Sequence, residues 1–358
     1  MSRLLITGGA GFIGSNFVHY WHESNPKDAV VVLDALTYAG NRANLAKCEG
    51  AWWYTFVEGS VCDQGLVEAL LRKYQIDTLV NFAAESHVDR SITGPDAFVE
   101  TNVVGTHTLL KGAKKVWLDE GAVACHLFHH VSTDEVYGTL GEKDAAFSER
   151  TPYAPNSPYA ASKAASDHLV RAYHHTYGLN VTTSNCSNNY GPFHFPEKLI
   201  PLCLLNIFEG KPLPIYGNGR QVRDWLFVDD HARGIDLIIK KGRRGETYNI
   251  GGCNERANID VINLLCSLVD QRFGENAELA HRFPDSPCAN AKSAKSLISF
   301  VEDRPGHDTR YAINADKIMS ELGYQPLEDF ESGLNKTVDW YLSSEKWWRS
   351  ILDGSYRA

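Results

Sequence analysis

Arg3-Leu-Leu-Ile-Thr-Gly-Gly-Ala-Gly-Phe-Ile-Gly14 is the stretch that decides the fold. Arg3 to Thr7 is an apolar-leaning run of the length of one buried strand. Gly8, Gly11 and Gly14 follow at three-residue spacing, and Phe17, Val18 and Trp21 then recur at helical intervals. A glycine turn between strand and helix aims backbone N–H groups and the positive helix end at one point, which suits a pyrophosphate. Gly8 permits the tight turn, Gly11 lets the backbone approach the phosphates, and Gly14 permits close packing of helix on strand. A second apolar run, Ala29 to Leu33, ends in Asp34, twenty residues past Gly14. A carboxylate there grips a ribose 2′-hydroxyl and repels a 2′-phosphate, so NAD is expected over NADP.

The rest of the chain must carry the chemistry. Val131-Ser-Thr-Asp-Glu-Val-Tyr-Gly138 sets a hydroxyl (Thr133) beside two carboxyls (Asp134, Glu135), after an apolar-leaning run from His126. In a regular strand Thr133 and Glu135 share a face and Asp134 points away. All three can meet one substrate only if the strand ends or twists at Thr133. Two adjacent carboxyls suit an elimination, because like charges this close resist joint ionisation and leave one acid and one base.

Further on, Ser157-Pro158 reads as a helix cap and first helical position. Tyr159 and Lys163 then share one helix face. A tyrosine acting as a base near neutrality must titrate roughly three pH units below its usual ~10, about 4 kcal/mol. The Lys163 ammonium and the helix start are expected to supply part of that.

Composition narrows the alternatives. The 358 residues suggest one large and one smaller domain, and 43% hydrophobic with 22% charged residues suits a soluble globular enzyme. A net charge of −9 without a long basic run argues against nucleic acid. No apolar run approaches the ~20 residues of a membrane span. Eight cysteines without a Cys-x-x-Cys pattern, and no leader-like start, predict reduced thiols in the cytoplasm. His129-His130 and His174-His175 lack a third ligand at metal spacing, so no metal is expected.

The glycine spacing, with Tyr-x-x-x-Lys later, resembles the extended short-chain dehydrogenase/reductase family. Asp34-Ala-Leu-Thr-Tyr-Ala-Gly-Asn41 narrows the resemblance to nucleotide-sugar 4,6-dehydratases, and Thr133-Asp134-Glu135 is similar to the branch acting on dTDP-glucose. The resemblance implies an α/β fold: a Rossmann-type doubly wound parallel sheet with a smaller C-terminal α/β substrate-binding domain. Tyr248-Asn-Ile-Gly-Gly252 reads as a strand returning to the large sheet, so the domains are expected to interleave. Residues 1–187, with returning segments at about 226–252 and 308–323, would bind NAD. Residues 188–225, 253–307 and 324–358 would bind the nucleotide sugar.

By the same resemblance, Phe12, Ile13, Asp34, Ala35, Leu36 and Thr37 line NAD. Ser60 and Val61 stand where the family has Gly-Asp against adenine. Phe82, Ala83, Ala84 and Ser86 would lie along the cofactor, with Ser86 also near the sugar, and Thr101, Tyr159, Lys163 and Asn189 would complete the set. Substrate contacts would be Asn188, Lys198, Leu199, Pro214, Tyr216, Arg223, Asn258, Asp303, Arg304, His307 and Tyr356. A homodimer through the Tyr159 and Asn102 helices is also implied.

The chemistry implied is a borrowed hydride. Tyr159 takes the proton of the sugar 4-hydroxyl, with Thr133 bonded to that oxygen, as hydride leaves C4. The ketone acidifies C5, Glu135 removes its proton, and Asp134 protonates the departing 6-hydroxyl. The hydride returns to C6 and C5 regains a proton. A 4-epimerase, a dehydratase of another nucleotide sugar and a non-catalytic NAD sensor stay open, as does thymine against uracil. The Ala, Ser and Lys-rich run from Ala277 to Ser296 is expected as a surface loop, and Trp347-Trp348 has no assigned role.

Overall fold

The apolar runs around the glycine turn become neighbours in one sheet. The computed structural model describes residues 1–303 and 308–357. In chain order the strands are β1 (Arg3–Thr7), β2 (Ala29–Asp34), β3 (Tyr54–Glu58), β4 (Thr78–Asn81), β5 (Leu127–Thr133), β6 (Val181–Cys186), β7 (Asn188–Tyr190), β8 (Leu213–Tyr216), β9 (Val222–Phe227), β10 (Thr247–Ile250), β11 (Glu255–Ala257) and β12 (Ile298–Val301). Seven of them form an all-parallel sheet in the order β10-β6-β5-β4-β1-β2-β3. The order reverses at β1, between β2 and β4, and a crevice opens beyond the carboxyl ends of the strands at such a reversal. The glycine turn leaves β1 at that crevice.

Strand periodicity sorts the sheet's side chains onto two covered faces. Leu5, Val31, Leu79 and Phe128 pack on one side with Leu109, Leu110, Val116, Trp117 and Val170. Leu4, Ile6, Val30, Val32 and Val80 pack on the other with Phe17, Val18, Ile235, Ile238 and Ile318. β10 pairs with β6, so the expected return to the sheet is present. β4 stops at Asn81, and the helix Val88–Thr93 follows. Asn102 explains the stop. Its amide takes both the N–H and the C=O of Glu85, so the chain bonds to a helix side chain instead of a strand.

A second apolar core gathers the helices Leu199–Phe208, Asn258–Glu275, Phe330–Ser343 and Glu345–Leu352. A three-stranded sheet, β11-β9-β7, and the pair β8-β12 accompany it. Two readings change here. Ala277 to Ser296 is not a surface loop: Leu279, Phe283, Cys288 and Ala294 are buried in this core. Trp348 is fully buried in it as well, with its Nε1 donating to the Tyr341 carbonyl at 3.0 Å.

Trp347 faces the other unit. Its Nε1 donates to Asn44 Oδ1 at 2.7 Å, and Asn44 Nδ2 donates to the Ala10 carbonyl in the glycine turn at 2.9 Å. The histidine pairs have structural partners: His129 meets Thr182 and Ser184 hydroxyls, and His174 meets the Leu179 carbonyl.

Candidate active site

The acidic stretch solves its geometric difficulty by ending the strand. β5 stops at Thr133, and Asp134–Tyr137 turns as a 3₁₀ helix. Thr133 Oγ1 accepts the Glu135 N–H at 3.2 Å and closes the turn. Glu135 and, more weakly, Asp134 both act electrostatically on Tyr159. Ser157 Oγ accepts the Ala160 N–H at 3.1 Å and Pro158 is the first residue of the helix Pro158–Tyr177, as the cap signal predicts. Tyr159 and Lys163 lie buried on it, and Lys163 Nζ donates to the Val131 carbonyl at 2.8 Å.

Charge in this pocket is set first by burial. Burial, then the Glu135 and Asp224 carboxylates, push Asp134 well above the usual carboxylate range, against the pull of Arg223. A carboxyl so placed keeps its proton. Tyr159 differs from expectation. Burial and then Glu135 hold it well above the ordinary phenol value, and a hydrogen bond with Thr133 acts in the lowering direction. Lys163 is itself lowered by burial. Desolvation outweighs the helix start in the protein alone.

At the crevice, the glycines are needed sterically. Gly8 has φ +68°, and a Cβ there would sit 2.6 Å from the Ala83 nitrogen. A Cβ on Gly14 would sit 2.3 Å from the Gly8 carbonyl oxygen, so Gly14 keeps the turn closed on itself as well as on the strand. Gly11 caps the helix Phe12–Ser24 without a side chain, leaving the first-turn N–H groups of Phe12 and Ile13 to an anion. Asp34 is buried at the end of β2, where Oδ2 accepts from Ala10 N at 2.9 Å and Oδ1 from Leu36 N at 2.8 Å. Each oxygen keeps a further lone pair for a ribose hydroxyl. Ala35, Leu36 and Thr37 continue along the rim. These features fit a dinucleotide.

Phe82, Ala83, Ala84 and Ser86 lie half-buried beyond β4, and Thr101 is half-buried in the helical run Val99–Gly105. Ser60 is exposed and its Oγ accepts from Cys62 N at 3.1 Å, while Val61 is buried beside it. Asn189 is committed on both sides. Its Oδ1 lies 2.8 Å from His231 Nδ1, and its Nδ2 donates to the Ser187 carbonyl at 3.0 Å.

The substrate candidates spread across the second unit. Asn188 Oδ1 and Asn258 Oδ1 are buried and find no partner among the described residues, as acceptors awaiting a ligand would. Lys198 Nζ reaches the Ser86 carbonyl at 3.2 Å, and Leu199 packs on the second core. Pro214 and Tyr216 lie on β8. Arg223 on β9 donates to the Val222 and Asp308 carbonyls at 2.7 and 2.9 Å and lies over the Tyr311 ring. Asp303 accepts from Gln221 Nε2 at 2.8 Å. Tyr356 Oη donates to the Tyr38 carbonyl at 2.6 Å, so it closes over the rim loop after Asp34. Arg304 and His307 lie outside the described residues.

Several neighbours escaped the sequence reading. Cys186, Asp224 and Tyr311 all act on this cluster: Cys186 on Tyr159, Asp224 on Asp134, and Tyr311 through Glu135. No local pattern marks them. Asp167, one helical turn past Lys163, could have been found by extending the Tyr159–Lys163 spacing.

The family profile described as GDP-mannose 4,6 dehydratase matches residues 5–337. The chain belongs to that dehydratase family. Among relatives of this dehydratase, dTDP-glucose 4,6-dehydratase of Xanthomonas campestris pv. campestris is 56% identical over all of this chain and 98% of its own. Among solved structures, dTDP-glucose 4,6-dehydratase from Bacillus anthracis in complex with NAD superposes with a TM-score of 0.84 at 44% identity, covering 98% of this chain and 100% of that one. The enzyme of the same description from Streptomyces venezuelae, also with NAD bound, gives 0.84 at 46% identity over 98% and 99%.

Proposed function

We propose that the protein removes water from dTDP-glucose, forming dTDP-4-keto-6-deoxyglucose with NAD as its resident cofactor. The observation that carries this reading is the turn at Thr133, after which Glu135 and Asp134 both act electrostatically on Tyr159. A 4-epimerase has no use for that acidic pair. The relatives named above support the sugar nucleotide, and their NAD complexes support the cofactor.

NAD, when bound, supplies the hydride acceptor for C4 and the donor for C6, and its positive ring would draw the Tyr159 proton down. Tyr159 takes the proton of the 4-hydroxyl, and Thr133 holds that oxygen. Lys163, buried on the same helix face, supplies the positive charge behind Tyr159. Glu135 takes the proton from C5, made acidic by the neighbouring ketone. Asp134, whose proton burial retains, passes it to the 6-hydroxyl as that group leaves as water. Glu135 returns its proton to C5 as C6 is reduced, and no net oxidation results.

Two interleaved units account for the arrangement, one built on the large sheet with β10, the other on the second core. A homodimer is supported by exposed Val99, Val104 and Tyr177 on the helices around Asn102 and Tyr159. Reduced, unpaired cysteines favour the cytoplasm.

The test is incubation with dTDP-glucose and, separately, UDP-glucose, followed by mass spectrometry. Loss of one water from dTDP-glucose is expected. Inversion without mass change would make the protein an epimerase. Stabilisation by NAD with no chemistry on either sugar would make it a sensor.

A further inference from the structure

Asp167 is a buried carboxylate that the proposed reaction does not use. Tyr159, Lys163 and Asp167 follow at four-residue steps along the helix Pro158–Tyr177, so they form one row on one face. Asp167 is 6% exposed, yet it holds two hydrogen-bond donors. Its Oδ2 accepts the Ser132 hydroxyl and the Tyr153 hydroxyl, each at 2.9 Å. Its Oδ1 lies 3.3 Å from His130 Nε2.

The direction of the histidine contact follows from the next residue along. His130 Nδ1 is 3.2 Å from Asn81 Nδ2, and an amide nitrogen only donates. Nδ1 is therefore the acceptor, and the ring proton sits on Nε2, facing Asp167. Asn81 is oriented in turn, because its Oδ1 accepts the Thr7 hydroxyl at 2.6 Å. The carboxylate is thus anchored through β4 to β1.

Its partner in charge is Lys163. Burial alone would make that ammonium shed its proton, since an ion in an apolar interior needs a counter-charge. The opposing influences on Lys163 are Asp167 first and Cys186 second. The Cys186 thiol is pushed up to about 12 by burial, so it carries no charge near neutrality. His130 is pulled down to about 4 by burial and by Lys163, so it stays neutral.

We propose that Asp167 is a positioning residue for the Tyr159–Lys163 pair: its carboxylate, fixed by Ser132 and Tyr153, stands one helical turn past Lys163 as its counter-charge and keeps it in line with Tyr159. Asp167 touches neither sugar nor nicotinamide in this arrangement and acts through Lys163. The inference rests on the proposed dehydration.

The test is Asp167→Asn, which keeps the side chain's shape and removes its charge. Rates of water loss from dTDP-glucose are measured for the wild type, Asp167→Asn, Lys163→Met and the double variant. Asp167→Asn is expected to lower kcat by about tenfold or more with KM within about twofold. In the Lys163→Met background the same change is expected to cost less than about twofold, because nothing remains for Asp167 to act through. An equal cost in both backgrounds, an unchanged kcat or a loss confined to KM would overturn the proposal. Should Asp167→Asn fail to fold, Tyr153→Phe removes one of the two donors and is held to the same criterion: a severalfold loss in kcat that vanishes without Lys163. A wild type that removes water from no nucleotide sugar would refute the proposed function and this inference with it. A working wild type with an indifferent Asp167→Asn would refute this inference alone.

Discussion

Thr133 Oγ1 accepts the backbone N–H of Glu135 at 3.2 Å, at the residue where β5 ends. The bond does the work of a helix cap at a strand terminus. It converts an alternating sequence, in which the two acids would face opposite ways, into a turn that serves one pocket.

A divided labour for the acids follows from this turn. Asp134→Asn with Glu135→Gln is expected to leave the first hydride step intact and to stop the loss of water. Rapid mixing with dTDP-glucose should show reduced-nicotinamide absorbance that rises and stays, with at least about a hundredfold slower release of water. Unchanged dehydration in the double variant would contradict the assignment.

Tyr159→Phe removes the base for the 4-hydroxyl. With Thr133 and Lys163 still present, the expected loss in turnover is about a hundredfold or more, and no reduced nicotinamide should appear on mixing. The ring packs edge-on against Phe98, a contact that phenylalanine keeps, so folding should be close to that of the wild type. Appreciable turnover would show that another group takes the proton.

Acid stability is governed by buried histidines. His129 is pulled from 6.5 to about 3 by burial, and His231 and His194 also fall to about 3. Each folded value lies below the unfolded one, so the stability they confer is complete above pH ~6.5 and drains away as pH falls toward the folded value. His129→Gln should flatten the decline of stability with falling pH. Denaturant melts at a series of pH values would measure the slope, and an unaltered slope would contradict the assignment. Among the described residues the His129 ring bonds to the Thr182 and Ser184 hydroxyls, away from the catalytic candidates, so turnover at neutral pH should persist.

Trp347→Phe tests the bond between units. Its loss leaves Asn44 without the indole donor and loosens the hold on the Ala10 carbonyl. A net hydrogen bond is worth about 1 kcal/mol, so NAD should dissociate roughly fivefold more readily. Calorimetric titration with NAD would read the change, and unchanged affinity would confine Trp347 to packing.

Legibility followed distance along the chain. The glycine turn, Asp34 and the Ser157-Pro158 cap were readable because their spacing is itself the geometry: each acts within a few residues, or across one strand–helix–strand unit. The stop at Thr133 was readable only as a requirement of the chemistry, since nothing in Val131-Ser-Thr marks a strand end. Ala277 to Ser296 misled because its polar residues outnumber the four that sink into a core built by helices elsewhere. Tyr311 and Asp224 were invisible for a related reason: they reach the acidic pair from segments far along the chain. The raised Tyr159 was missed because helix and lysine could be counted, while its desolvation depends on everything packed around it.

The indole-to-amide bond between Trp347 and Asn44 spans 303 positions. A growing polypeptide can lay down the first six strands of the large sheet long before that partner exists. The loop that steadies the glycine turn therefore receives its final tie only once the chain has been made as far as Trp347. A product ending before Trp347 would have most of its sheet in place and its first loop unsecured.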